Sequence, residues 1–181
     1  MQVKIRKHSS YDNLGEPKND VLKGLDVYKQ QPFSEKVETA IFNECIENPL
    51  YFFKYVYQKG KYKLNPCVAD MIISVLYGNN VEFSCCRQLF GVTTTYKGLM
   101  IYNALNPFTF GEDCIGRKSI FIPENIISGK RIQKELADEI SELPSFIQDK
   151  INMESDILFF NDPDSMRATM KFGESVCIFF D

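Results

Sequence analysis

Several things this chain lacks narrow what it does. His8 is the only histidine among 181 residues, and it sits in a polar stretch, which argues against Ser-His-Asp hydrolysis and against histidine-ligated zinc. The six cysteines (Cys45, Cys67, Cys85, Cys86, Cys114, Cys177) form no CxxC pair, and most lie in apolar segments. They read as reduced core residues of a cytosolic protein rather than disulfides or metal ligands. No run approaches the ~18 apolar residues of a membrane span, and the start, MQVKIRKHSSYDN, has no apolar signal-peptide core. An excess of positive charge is lacking as well. A net charge of −3 disfavours a general nucleic-acid clamp, which needs many Lys and Arg on one face. Internal repeats and low-complexity tracts are absent.

What is present reads as one globular unit, since 44% hydrophobic and 25% charged residues support a core rather than disorder. Residues 1–34 carry little periodicity and many turn formers, so an extended N-terminal arm is expected there, ordering only against a partner. From Ser34 the pattern becomes helical. Val37, Ile41 and Cys45 fall four apart, Asn48-Pro49 breaks that helix, and LYFFKYVYQ begins another. After the turn Lys59-Gly60-Lys61, a helix opens at Pro66 with Val68, Met71, Ile72, Val75 and Leu76 on one stripe. A further helix is expected over residues 94–106, and another carries Ile132, Leu136, Ile140 and Leu143 on one face with its charges turned to solvent. Residues 118–122, 157–160 and 176–180 are short apolar runs of strand length. Strands alternating with helices predict an α/β domain over residues 35–181 with a mainly parallel sheet flanked by helices.

The most suggestive stretch is residues 81–99, VEFSCCRQLFGVTTTYKGL. An apolar run, a turn and a helix follow in the order of a phosphate-binding loop, where backbone N–H groups and a helix N-terminus cradle a polyphosphate. Counted from Cys86, Gly91 closes the GxxxxGK[ST] frame and Thr93 takes the hydroxyl position, but Val92 stands where lysine is required. An aliphatic side chain cannot neutralise phosphate charge, so such a loop is a degenerate nucleotide site. The plain alternative is an ordinary turn with Thr93 or Thr94 capping a helix.

With its flanks, this stretch resembles the N-terminal ATPase domain of the large terminase subunit, the motor that packages DNA into tailed-phage heads. The likeness runs from about Phe42 to Asp181. It includes Asn48-Pro49-Leu50-Tyr51-Phe52-Phe53, then Lys63-Leu64-Asn65-Pro66, then Cys86-Arg87-Gln88 before Gly91 and Thr93-Thr94-Thr95. Leu143-Pro144 and the run Val176-Cys177-Ile178-Phe179-Phe180-Asp181, similar to a Walker B strand, complete it. The resemblance implies a P-loop ATPase-like fold, truncated after that strand. Arg87, Gln88, Gly91, Val92, Thr93 and Thr94 would form the degenerate nucleotide site, and Asp181 would be the metal residue.

Three departures imply a relative that does not hydrolyse ATP. The stretch Pro66-Cys67-Val68-Ala69 has no base-reading glutamine, Val92 replaces the lysine, and no glutamate follows Asp181 to orient water. The function expected from the resemblance is a role in phage DNA packaging or head assembly, exercised through protein contacts. No catalytic residue and no cofactor are expected, with ATP and Mg²⁺ entering only through residual binding by the loop. Tyr51, Phe52, Phe53, Tyr55 and Tyr57 are the candidate contact residues, with the helix core as the alternative. The expected partners are other packaging or head proteins, such as portal or terminase subunits, in the host-cell cytoplasm or on the virion. Membranes are not expected partners. Two alternatives stay open: one part of a split terminase ATPase, with Arg87, Lys97 or Arg117 replacing the missing lysine, and an unrelated α/β binding module. In the resembled fold a later strand separates the phosphate-loop strand from the Walker B-like strand, so direct pairing of residues 81–85 with 176–180 is expected to close the gap.

Overall fold

The computed structural model describes residues 13–76, 91–105, 118–121, 126–150, 158–162, 167–172 and 175–180. Its elements run α1 (Glu35–Glu47), α2 (Pro49–Tyr51), α3 (Pro66–Leu76), α4 (Val92–Leu105), β1 (Lys118–Phe121), α5 (Ile126–Ser141), α6 (Ser145–Lys150), β2 (Leu158–Asp162), β3 (Arg167–Phe172) and β4 (Ser175–Phe180).

The helices build the core. Ile41 and Cys45 of α1 are fully buried, as their spacing of four predicts, while Val37 is half-buried. Ser34 precedes α1 in extended backbone without a side-chain cap, and its carbonyl accepts from the amides of Val37 and Glu38 instead. Asn48 does cap the next helix, accepting from the Tyr51 amide, and Pro49 occupies the first helical position, where its missing N–H costs nothing. In the same way the Asn65 side chain accepts from the Val68 amide at 3.0 Å and starts α3. Beyond Tyr51 the helix widens into a π-helical turn, Phe52–Val56, closed by the Tyr57 amide bonding back to the Phe52 carbonyl. Helix α4 is buried on nearly every side, with Leu99, Met100, Ile101, Tyr102, Ala104 and Leu105 in the core, the pattern of a central helix. On α5, Ile132, Leu136 and Ile140 are buried.

The sheet corrects the predicted fold class. Its strand order is β1-β4-β3-β2, and only β1 and β4 are parallel; the β3–β4 and β2–β3 pairs are antiparallel. Among the described residues this small mixed sheet is not the mainly parallel sheet of a P-loop fold. Chain length explains the difference. Phe172 pairs with Ser175, so only Gly173 and Glu174 link β3 to β4. A two-residue link permits a hairpin, whereas a parallel pair needs a crossover of a dozen residues or more. Between β1 and β4 the chain carries α5, α6, β2 and β3, long enough for a crossover, and these two strands are the parallel pair.

The same order overturns the expected pairing of residues 81–85 with 176–180. Both edges of β4 are occupied, one by β1 and the other by β3. Residues 81–85 themselves lie outside the described residues.

Residues 13–34 are held against the helices. Leu22 and Val27 are buried in the core. The buried Glu44 carboxylate accepts from the amides of Lys18 and Asn19 at 2.8 and 3.2 Å, and the Tyr28 phenol donates to the Val56 carbonyl at 2.6 Å. The partner that orders this part of the arm is therefore the chain's own helical core.

Candidate functional site

The predicted nucleotide residues fall at the start of α4. Gly91 immediately precedes the helix at φ +58°, a left-handed conformation that glycine adopts without penalty. Its carbonyl accepts from both the amide and the hydroxyl of Thr95, at 2.8 and 3.0 Å. Gly91 and Thr93 are exposed, and Val92 and Thr94 are half-buried. Arg87, Gln88, Arg117 and Asp181 lie outside the described residues, so the site is seen only from its helical side. The helix starts two residues earlier than its periodicity predicts, and neither Thr93 nor Thr94 precedes it as a cap.

Behind this helix start lies a buried polar network that runs between three elements. Thr95 is fully buried, and since its hydroxyl donates to Gly91, the Tyr62 phenol donates to Thr95 Oγ1. Two positions on, the Lys97 ammonium is buried between two glutamates of α5, at 2.6 Å from Glu139 Oε1 and 3.1 Å from Glu135 Oε2. The Tyr57 phenol shares its single proton between the Thr94 carbonyl and Glu139 Oε2, each at 2.7 Å. Gln58 Nε2 adds a longer bond of 3.3 Å to Glu139 Oε1. Glu139 thus ties the end of the π-helical segment and the first turns of α4 to α5.

Electrostatics follow from that geometry. Burial works to lower the Lys97 pKa, but the bonds and charges of Glu139 and Glu135 outweigh it, and the net shift is upward. Tyr57 is raised strongly, first by burial and then by the Glu139 charge beside it. Both groups keep their protons, so neither is poised to act as a base. The network's chemistry is that of a clamp.

The pattern did contain a sign of this cation. Glu135 and Glu139 are like charges at i,i+4, a pair that destabilises an isolated helix unless a cation sits between them. The charges on α5 were expected to be solvated; two of them instead hold Lys97. That engagement also bears on Lys97 as a replacement for the missing phosphate-loop lysine, because its ammonium is committed to carboxylates.

The aromatic run is core rather than contact surface. Tyr51, Phe52, Phe53 and Tyr57 are buried, and only Tyr55 is half-exposed, its phenol donating to Glu16 at 2.9 Å. Tyr57 packs edge-on against Phe53, with ring centroids 5.5 Å apart, and lies parallel to Phe52 at 6.0 Å. The helix contacts α1 and α3, and its Phe52 ring meets Tyr102 of α4 at 5.6 Å, so within the aromatic run only Tyr55 is left partly open.

Among the described residues no cluster of His, Cys, Asp or Glu could hold a metal ion, and no helix is long and apolar enough to cross a membrane. Compared with protein-family models, with curated proteins and with solved structures, the chain matches none.

Proposed function

We propose that this chain serves phage DNA packaging or head assembly through protein contacts, without hydrolysing ATP. One observation carries the second half of that reading. The nearest lysine on α4, Lys97, is buried in ion pairs with Glu139 and Glu135, while Val92 occupies the position of the phosphate-binding lysine. Phosphoryl transfer is almost entirely positioning plus charge neutralisation. A helix start that presents Gly91, Val92, Thr93 and Thr94 offers backbone amides and hydroxyls, but no cation to spend on phosphate.

The first half rests on the order of the motifs resembling the terminase ATPase domain. Two of those motifs have structural work at their places: Asn48-Pro49 and Asn65-Pro66 each cap and start a helix.

The test has two arms. In the first, the purified chain is incubated with radiolabelled ATP and Mg²⁺. Turnover no higher than a no-protein blank is expected, with binding weaker than about 1 mM by equilibrium dialysis. Turnover abolished by Thr93→Ala would overturn the reading. In the second, co-sedimentation with portal rings and with the large terminase subunit of the encoding phage is measured. Association with neither would remove the packaging role.

A further inference from the structure

The turn that follows the aromatic helix is strained. Gln58 (φ 50°, ψ 42°) and Lys59 (φ 55°, ψ 36°) both take left-handed backbone, followed by Gly60 at φ +67°. For residues with a side chain, such conformations are unfavourable and persist only where the surroundings hold them. Here three contacts do so: Gln58 to Glu139, the Lys59 ammonium 3.0 Å from Glu142, and the Tyr62 phenol to Thr95. The turn reverses the chain and brings Tyr62 against Thr95 of α4.

Those residues alternate. Lys61 is exposed, Tyr62 half-buried, Lys63 exposed and Leu64 half-buried. Tyr62 points inward, with its ring 5.6 Å from Phe53 and 5.5 Å from Tyr57. Lys61 and Lys63 are both exposed and belong to one surface. They line a groove of about 620 Å³ whose walls include Tyr28 and Tyr55. The other charges of the groove are already matched within the chain: Lys54 with Glu16 at 2.6 Å, Asp26 with Lys29 at 3.1 Å, and Lys59 with Glu142. Among the described residues Lys61 and Lys63 have no acidic partner.

We propose that the groove is a docking surface for an acidic peptide segment of a partner protein, with carboxylates facing Lys61 and Lys63. This deepens, and rests on, the reading of the chain as a module that works through protein contacts. Charge complementarity selects the occupant. A nucleic-acid strand brings one phosphate per nucleotide and needs a cation row to match, whereas two unmatched lysines beside the carboxylates of Glu16 and Asp26 suit a short acidic motif. Tyr28 and Tyr55 present apolar ring area at the walls for the residues between the carboxylates.

The experiment measures fluorescence anisotropy of a labelled peptide of alternating glutamate and serine with the full chain at low salt. A labelled oligothymidylate of equal charge runs beside it. The peptide is expected to bind more tightly than the oligothymidylate. Lys61→Glu with Lys63→Glu should weaken it at least about tenfold, with an unchanged thermal melt, while Lys36→Glu on α1, away from the groove, should leave it unaffected. Absence of peptide binding, indifference to the double reversal, or tighter binding of the oligothymidylate each overturns the proposal. ATP turnover would overturn the non-hydrolysing reading without touching this result, and loss of peptide binding without turnover would remove the groove alone.

Discussion

The phenol of Tyr57 and the carboxylate of Glu139 meet at 2.7 Å across 82 positions of sequence. Glu139 also holds Lys97 at 2.6 Å, so one carboxylate joins a helix end, a central helix and the helix packed against it. Breaking a buried pair costs more than the pair is worth, because the surviving charge is stranded.

Glu139→Ala is expected to destabilise the fold by about 3–5 kcal/mol. Lys97→Met combined with Glu139→Gln should cost less than the two single changes added together, with a coupling of about 0.5–3 kcal/mol. Urea denaturation of the four proteins in the cycle measures it. Simple additivity would show that the two residues are neighbours without being partners.

Gly98 of α4 presents a contest between two effects. Alanine in place of glycine inside a helix ordinarily stabilises by about 0.8–1 kcal/mol. At this position a Cβ would overlap the Phe53 ring and lie 2.8 Å from Tyr57 Cε1. Both rings are fully buried, so neither has room to retreat, and overpacking of this kind costs about 1–3 kcal/mol. The second effect is expected to win, and Gly98→Ala should lower the urea midpoint. A raised midpoint would mean that the two rings shift together at little cost.

Much of the helical half was legible because its signals are local. The stripe Val68, Met71, Ile72 and the run Ile132, Leu136, Ile140 each repeat within one helix, and Asn48-Pro49 and Asn65-Pro66 punctuate where they should. The sheet was not legible in the same way. Arg167–Phe172 mixes Arg, Thr and Lys with apolar residues, so β3 has no clean apolar run to announce it. Missing it left β4 apparently in need of a distant neighbour, and the alternation of helices and strands then suggested a parallel sheet. Lys97 and its glutamates were missed for a different reason. They lie 38 and 42 positions apart, and only the fold brings them together. The likeness at Gly91 was a likeness of backbone order, and order alone does not specify which strands pair.

The last prediction concerns alkaline pH. Tyr28, Tyr51, Tyr57 and Tyr62 all have raised pKa values, chiefly through burial, and Tyr55 is pushed up to about 12 by burial and its bond to Glu16. Lys97 is raised as well, where its glutamates outweigh burial. For such groups the folded state holds protons that the unfolded chain has released. Stability is therefore fully present below the ordinary phenol and ammonium values, 10.0 and 10.5, and declines as pH rises above them. Each fully retained proton contributes about 1.4 kcal/mol of loss per pH unit, so Tyr51 and Tyr57 alone remove about 2.8 kcal/mol per unit. Against a typical stability of about 5–15 kcal/mol, cooperative unfolding is expected between roughly pH 10.5 and 12. Phenolate absorbance and helical circular dichroism should then change together in one steep transition. Gradual phenol titration near pH 10 with the helical signal intact would show that these tyrosines are open to solvent and that the aromatic core around Tyr57 is packed otherwise.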